Sequence, residues 1–140
     1  MYPIGLINTI IYIYISLKGH LFGDIFGRDN LFVELQDHGL PDQLRTNPKL
    51  VEIARKIGAP IIATNDSHYV NRSDHEAHDA LLCVQTGAFM RDADRFKFEG
   101  TEHYLKSADE MRHLWRELPE VCDNTLWIAE RANVEIELGT

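Results

Sequence analysis

A carboxylate and an imidazole lie two residues apart at the end of a short apolar run. Residues 61–70 begin with apolar, mostly β-branched side chains and end in a polar tip that contains Asp66 and His68. In an extended tip, residues i and i+2 point to the same side, so the two side chains could reach one metal ion. An oxygen ligand with a nitrogen ligand suits zinc or manganese. The alternative is that Asp66 caps the following turn and His68 is a surface histidine.

The elements that would position this pair form a strand–helix–strand pattern. Residues 31–35 alternate in polarity and predict a strand, and residues 60–64 predict a second one. Between them, after an expected loop, an amphipathic helix is predicted to open at Pro48 with Asn47 as its cap and to end at Gly58. This order predicts a βαβ unit with parallel strands, and therefore an α/β fold. The carboxyl end of such a strand is where α/β folds collect their chemistry, which favours the metal-site interpretation.

The rest of the chain predicts helices. The spacing of Ser73 and Glu76 indicates a capping box and a largely buried helix that ends near Gly87. Ser107 is expected to cap a second helix, again with a glutamate three residues later, and Pro119 to open a third. The charged, turn-rich residues before Ser107 predict a surface loop.

Composition limits the class of protein. The 140 residues suffice for one ordinary domain, and the net charge of -8 argues against a surface dominated by nucleic-acid binding. Cys83 and Cys122 form no Cys-x-x-Cys pair and lie among apolar neighbours, which is typical of reduced, buried thiols in a cytosolic protein.

Residues 1–17 are apolar but shorter than the roughly 20 residues of a membrane span, and no signal-peptide pattern accompanies them. Their β-branched content favours a strand.

Two further groups of side chains are weaker candidates. His75 and His78 lie three residues apart on a predicted helix and could chelate a metal, although one exposed and one hydrogen-bonded histidine is the more common outcome. Arg91, Arg95 and Lys97 form a small basic loop that could meet DNA phosphate. Acidic neighbours dilute its charge, so a solvated loop is the expected interpretation.

Five sequence runs stand out from about residue 26 onward: LFVELQDHG at 31–39, ATNDSHY at 63–69, EAHDALLCVQTG at 76–87, YLKS at 104–107, and DNT with IAER at 123–131. In their order and spacing, these runs resemble the PHP (polymerase and histidinol phosphatase) domain of the bacterial DNA polymerase III alpha-subunit family. The resemblance implies part of a distorted β/α barrel, its late βαβ unit, followed by an all-helical connecting segment. The implied division is residues 1–25 as an apolar leader that the family does not match, 26–72 as the carboxyl-terminal part of the PHP domain, and 73–140 as the helical segment towards the polymerase palm.

The resemblance also implies the metal ligands. Asp66 and His68 match the family's last pair of ligands, whereas the others come from earlier strands that include a His-x-His, which this sequence lacks. The polymerase carboxylates belong to the palm, so no catalytic residue is expected in this chain. His38 follows the first predicted strand, and it is expected either to support the metal site through a hydrogen bond or to cap its loop.

The function implied is that of a fragment of a replicative, DNA-directed DNA polymerase, a cytoplasmic nucleotidyltransferase. Its partners would be DNA, deoxynucleoside triphosphates and other replicase subunits, with magnesium at the polymerase site and no membrane. Its PHP part would bind zinc or manganese and hydrolyse phosphodiesters in 3'–5' proofreading, or support the polymerase fold. The alternatives are a free-standing metal-dependent phosphoesterase and a non-catalytic structural piece. The 140-residue chain alone is expected to be inactive.

Overall fold

The predicted strand–helix–strand pattern is present in the computed structural model, which describes residue 15, residues 17–136 and residue 139. Strands β1 (Val33–Leu35) and β2 (Ile61–Ala63) pair in parallel, with Val33 opposite Ile61 and Leu35 opposite Ala63. Helix α1 (Pro41–Ile57) connects them. Three more helices follow: α2 (His75–Thr86), α3 (Ala108–Leu114) and α4 (Glu120–Arg131). The α/β class and the parallel βαβ unit are therefore confirmed.

Two compact units divide these elements. The sheet unit contains the described residues of Met1–Leu35, Lys49–Ala63 and Trp115–Thr140. The loop unit contains Gln36–Pro48 and Thr64–Leu114. Both strands belong to the sheet unit, and the chain that follows each strand enters the loop unit. The barrel and the domain boundaries at residues 25 and 72 stay predictions.

Helix α1 begins earlier than the sequence analysis predicted. It starts at Pro41, so Pro48 lies inside the helix and not at its first turn, and the expected loop before Pro48 is wrong. Asn47 does not cap the helix; its side-chain nitrogen instead donates to the carbonyl of Gln36 at 2.9 Å. The predicted end is confirmed, because Gly58 has a left-handed φ of 71° immediately after Ile57, a conformation that glycine adopts without steric cost.

Apolar burial holds the sheet unit together. Leu35 on β1 and Val121 on α4 are completely buried, and Phe32 meets the ring of Trp127 edge-to-face at 5.3 Å between centroids. The side chain of Asn124, also on α4, donates to the carbonyl of Ile61 at 2.8 Å. This bond satisfies a strand carbonyl that the two-stranded ladder leaves available.

Helix α2 departs from the prediction at its start and on its surface. Asn71 and Asp74 form the capping box, around a 3-10 turn at Arg72–Asp74, so the predicted box at Ser73 and Glu76 is wrong. The helix buries Leu82 and Cys83 but exposes two other large apolar residues, Leu81 and Val84, and is not largely buried. Its end is as predicted: the residue after it, Gly87, has φ 70°.

The later elements match local sequence signals more closely. Ser107 and Glu110 form the expected capping box of α3: the backbone nitrogen of Ser107 donates to Glu110 Oε2 at 2.8 Å, and that of Glu110 to Ser107 Oγ at 3.3 Å. Pro119 directly precedes α4, as predicted. Residues 87–107 contain no helix, so the segment after residue 72 is not all-helical.

The start of the chain is helical where it is described. Of the residues expected to form a strand, 1–17, only Ile15 and Leu17 are described, and both are in helical conformation; the rest of that prediction lies outside the described residues. The helix continues to residue 26. In the described part of the chain, neither Cys83 nor Cys122 is in a disulfide. In the same residues, no helix combines the length and the hydropathy that a membrane span requires.

Candidate metal centre

Asp66 and His68 lie in the loop unit, in the irregular chain that follows β2. Asp66 has a left-handed φ of 46°, so the tip is not extended there and the predicted reason for the proximity of the two side chains is wrong. Aspartate tolerates this conformation better than most residues do. The side chains nevertheless come together, with His68 Nδ1 3.9 Å from Asp66 Oδ1. Both are partly exposed, to 51% for Asp66 and 34% for His68.

A third residue, His103, completes a group that sequence reasoning missed. Asp66, His68 and His103 each offer one potential ligand atom, and these atoms lie within 4.8 Å of one another. Unlike the other two, His103 is buried, with 7% of its surface exposed. Two imidazoles and one carboxylate form a typical ligand set for zinc.

Hydrogen bonds to the backbone on both sides of His103 fix its position. The side-chain amide of Asn65 donates to the carbonyls of Glu102 at 3.0 Å and Tyr104 at 2.7 Å. The backbone nitrogen of His68 donates to the carbonyl of His103 itself at 2.7 Å. The loop after β2 and the chain before α3 are thus joined at the site.

A buried lysine completes this junction. The side chain of Lys106 is 5% exposed, and its Nζ donates to Asn65 Oδ1 at 3.1 Å and to the carbonyl of Glu102 at 2.6 Å. The carboxylate of Glu102 lies 3.3 Å from the ammonium, which also sits over the ring of Tyr104 at 4.4 Å. A buried cation with these partners is compensated, and it satisfies the amide oxygen of Asn65 at the same time.

His38 supports the group but does not join it. Its ring stacks on His103, with 3.9 Å between centroids and 19° between planes. The Gln43 side-chain amide lies 2.8 Å from His38 Nδ1, and His38 Nε2 lies 2.8 Å from the carbonyl of Asn65. Since a carbonyl only accepts, Nε2 carries the proton and Nδ1 accepts from the amide. With both nitrogens engaged, His38 has no lone pair to offer a metal.

The environment of His103 favours a neutral ring. Burial lowers the pKa of His103 below its ordinary value, and the neighbouring His38 lowers it further. Phe98 packs edge-on against the ring at 4.8 Å. His103 Nδ1 is buried and has no hydrogen-bond partner among the described residues. The neutral imidazole is the form that binds metal ions.

The tautomer of His68 is set by its own loop. Its Nδ1 lies 2.7 Å from the backbone carbonyl of Asp66 and therefore donates to it. The lone pair is then on Nε2, as in metal-binding histidines oriented by a carbonyl. The ring also packs edge-on against Phe98 at 4.6 Å and His78 at 5.4 Å.

The second predicted histidine pair serves other contacts. His75 Nδ1 lies 3.0 Å from the carbonyl of Arg72. His78 packs against the rings of Tyr69 at 5.4 Å and Phe98 at 5.0 Å. Both histidines line a cavity of about 460 Å³ in the loop unit. Neither belongs to the group of potential ligands found among the described residues.

The predicted basic loop is not simply solvated. Both guanidinium NH groups of Arg95 bind the carboxylate of Asp79 on α2, and the Arg95 side chain is only 8% exposed. These hydrogen bonds lower the pKa of Asp79. Arg91 lies over the ring of Phe89 at 4.9 Å. Arg95 therefore ties the loop to α2.

A second polar cluster anchors the start of α3. The hydroxyl of Tyr104 donates to Glu110 Oε1 at 2.7 Å and accepts from Arg72 at 3.1 Å. Arg72 also pairs with Glu102 at 2.7 Å. The hydrogen bonds from Tyr104 and Ser107 lower the pKa of Glu110 to about 2. The residue next to His103 is thereby fixed through its side chain as well as its carbonyl.

The chain is similar to DNA polymerase III alpha subunits of several bacteria. It is similar to DNA polymerase III subunit alpha of Saccharopolyspora erythraea, with 53% identity over 111 residues, which cover 79% of this chain and 9% of that protein. The same subunit of Mycobacterium leprae is 55% identical over 109 residues, 77% of this chain and 9% of the relative. That of Deinococcus radiodurans is 46% identical over 123 residues, 84% of this chain and 9% of the relative.

This similarity confirms the prediction that the chain corresponds to a segment of the DNA polymerase III alpha subunit. The chain spans about a tenth of the length of the curated relatives it matches. No protein-family model matches the chain. The PHP assignment and the metal ligands therefore stay predictions.

Proposed function

We propose that this chain is a segment of a bacterial replicative polymerase whose whole protein is a DNA-directed DNA polymerase. Identities of 46–55% over about four-fifths of the chain to several DNA polymerase III alpha subunits carry this proposal. The whole protein would act in the cytoplasm as a magnesium-dependent nucleotidyltransferase. Its partners would be DNA, deoxynucleoside triphosphates and other replicase subunits.

Within that protein, residues 26–72 would be the carboxyl-terminal part of a PHP domain, and residues 73–140 would lead towards the palm. The order of the shared sequence runs and the α/β pattern support this assignment. Asp66 and His68 would hold zinc or manganese. His103 belongs to the same group, and its buried Nδ1 has no hydrogen-bond partner among the described residues, which supports a cation at this place because a bound cation would satisfy that nitrogen.

The chemistry proposed is phosphodiester hydrolysis, as in 3'–5' proofreading. A divalent ion at the site would supply Lewis acidity towards a phosphate oxygen. Asp66 would bind as the anionic ligand, and His68 is held in the correct tautomer by the Asp66 carbonyl. His38 and Asn65 act on position only: one stacks on His103, and the other fixes the backbone on both sides of it.

A structural role is the second candidate. The network of Asn65, Glu102 and Lys106 is satisfied internally, as expected of a junction that supports a larger fold. The third alternative, a free-standing phosphoesterase, receives no support from the relatives described above, which are named as polymerase subunits.

A segment exchange tests the polymerase assignment. Residues 26–136 would replace the corresponding segment of the Deinococcus radiodurans alpha subunit, which is 46% identical over the match. The expected result is a folded chimaera that extends a primed template at a rate within about tenfold of the parent. A chimaera with native circular dichroism and size but no primer extension would contradict the assignment.

The same chimaera separates the metal role from the structural one. With Asp66→Asn and His68→Gln introduced together, primer extension is expected to persist while bound zinc or manganese, measured by elemental analysis, decreases. Unchanged metal content would show that these two residues are not ligands. A loss of both metal and polymerisation would favour the structural role.

The isolated 140-residue chain is expected to have neither polymerase nor appreciable nuclease activity. Nucleotidyl transfer needs carboxylates that the resemblance assigns to the palm, and the family's earlier metal ligands are missing from this sequence. Primer extension and exonuclease assays on the purified chain measure this. Activity that follows the chain through two different purification steps would contradict it.

A further inference from the structure

We propose that His103 is the third ligand of a zinc site that this chain builds from its own residues, together with Asp66 and His68. The inference rests on the proposed metal role of Asp66 and His68 and extends it. It changes one expectation: two ligands would hold an ion weakly, whereas three protein ligands with one open position are the usual arrangement of a catalytic zinc site.

The first argument is the unsatisfied nitrogen. His103 Nδ1 is buried and has no hydrogen-bond partner in the described part of the chain. A buried polar atom that stays unpaired destabilises the fold. The ring lies between His38, stacked at 3.9 Å, and Phe98, edge-on at 4.8 Å, which hinder its rotation towards water. A metal ion bound at this nitrogen would satisfy it.

The second argument is that the other histidine of the group is oriented for the same task. The Nδ1–H of His68 donates to the carbonyl of Asp66 at 2.7 Å, which leaves the Nε2 lone pair available. Asp66 contributes the one negative charge of the group. Two neutral imidazoles and a carboxylate suit zinc better than the oxygen-preferring magnesium or calcium.

The third argument is the spacing. A carboxylate oxygen of Asp66 and one ring nitrogen each of His68 and His103 lie within 4.8 Å of one another. Tetrahedral zinc with bonds of about 2.0–2.1 Å holds its ligand atoms roughly 3.3 Å apart. The three side chains must therefore come closer together around the ion. The partly exposed side chains of Asp66 and His68 can rotate to do so, while His103 stays in place.

The neighbouring histidines do not compete for this role. His38 has both ring nitrogens engaged, by Gln43 and by the carbonyl of Asn65. His78 lies against the ring of His68 at 5.4 Å but outside the group of potential ligands. Of the three histidines around the Asp66 and His68 pair, His103 is therefore the one whose removal should affect metal binding directly.

Metal titration of the whole chain tests the inference. The 140-residue protein, freed of metal with a chelator, is titrated with zinc chloride in a calorimeter and with cobalt chloride under visible absorption. One zinc per chain is expected. His103→Gln should weaken zinc binding at least tenfold, and the control His113→Gln, at an exposed position on α3, should leave it unchanged.

A ligand replacement keeps the test decisive if His103→Gln fails to fold. In His103→Cys, a thiolate at the same position should bind cobalt and add a sulfur-to-cobalt charge-transfer band in the near ultraviolet. A residue that only packs against the site would give no such band. Cys83 and Cys122 are present in the parent chain, so its cobalt spectrum is the baseline.

The outcomes separate this inference from the proposal on which it rests. If zinc binds and depends on Asp66 and His68 but His103→Gln binds it equally well and His103→Cys gives no band, His103 is not a ligand and the two-residue assignment survives. If the parent chain binds neither zinc nor cobalt, the three-ligand site is overturned. The polymerase assignment would stand or fall separately, on primer extension by the chimaera.

Discussion

The interior of the sheet unit and the interior of the loop unit are stabilised by different kinds of interaction. In the sheet unit, apolar side chains such as Leu35 and Val121 are completely buried. In the loop unit, polar side chains occupy the interior: His38, His103 and Lys106 are almost fully buried, and side-chain hydrogen bonds to the backbone connect distant parts of the chain. Burial of apolar surface is non-directional, whereas hydrogen bonds specify distance and angle.

This difference matters for the candidate metal centre. Ligand atoms must be held to within about half an ångström of a productive arrangement, which apolar packing alone rarely achieves on an irregular loop. Around His103 the loop unit restrains the backbone through Asn65, which bonds the residue before His103 and the residue after it. The sheet unit should therefore be sensitive to lost volume, and the loop unit to lost donors.

The largest effect is expected on the state of the whole chain, which should associate in solution. Among the described residues the sheet has only two strands of three residues, and unpaired edges of parallel strands invite pairing with other chains. Sizing chromatography with light scattering measures this. In hydrogen exchange, amides of the helices after Ser73 are expected to exchange more slowly than those of β1 and β2.

A variant on α2 locates the cause of association. Leu81 is 62% and Val84 80% exposed, so this helix offers an apolar surface of its own. The double change Leu81→Glu and Val84→Glu is expected to leave association intact if the strand edges cause it. A monomeric double variant would assign association to α2. A monomeric parent chain whose slowest amides lie in the strands would contradict the expectation entirely.

Removal of volume from the sheet unit should have the next largest effect. Leu35→Ala deletes a completely buried side chain and should lower the free energy of unfolding by about 2–5 kcal/mol. Leu126→Ala, on α4 and 59% exposed, is the matched control, with an expected change of about 0.5 kcal/mol or less. Urea denaturation gives both values. Equal effects would show that burial at Leu35 does not hold this unit together.

Removal of donors should affect the loop unit at intermediate strength. Asn65→Ala loses the bonds to Glu102 and Tyr104 and one partner of Lys106, so the free energy of unfolding should decrease by about 1–3 kcal/mol. Asn124→Ala removes a single donor from the sheet unit and should cost about 0.5–1.5 kcal/mol. Zinc affinity should decrease in the first variant only. The reverse order of stability would contradict the contrast between the units.

Local signals in the sequence predicted the frame of the fold well. The two parallel strands, the glycine ends of α1 and α2 at Gly58 and Gly87, and the capping box of α3 are all determined by neighbouring residues. Where a side chain forms its hydrogen bond with a distant part of the chain, the prediction from neighbouring residues was wrong. Asn47 looked like a helix cap before Pro48, but its amide bonds the carbonyl of Gln36, and α1 begins at Pro41.

The candidate site shows the same limit. The proximity of Asp66 and His68 could be expected from their spacing, although the left-handed backbone at Asp66 was not. His103 gave no signal, because it is separated from His68 by an entire helix and a long loop. In that region, the residues that resemble the family begin at Tyr104, one position after His103. The bonds of Asn65 and the backbone bond from His68 to His103 bring His103 to the site. Long-range hydrogen bonds of this kind leave no periodic pattern in the sequence.

The smallest predicted effect tests the polar cluster beside the site through pH. Hydrogen bonds from Tyr104 and Ser107 lower the pKa of Glu110 to about 2, against an ordinary value of 4.5. A carboxyl whose pKa is lower in the folded state stabilises the fold at pH values above 4.5, and this contribution is lost as the pH decreases from 4.5 towards 2. Glu110→Gln should therefore show a shallower loss of stability over that range than the parent chain, measured as urea midpoints at about pH 5.5 and about pH 3. Glu99→Gln, exposed in the same unit, is the matched control for removal of one carboxylate. An unchanged slope in Glu110→Gln would mean that the tyrosine and serine contacts do not distinguish the folded from the unfolded carboxylate, and that the loop unit depends on Asn65 and Lys106 without help from α3.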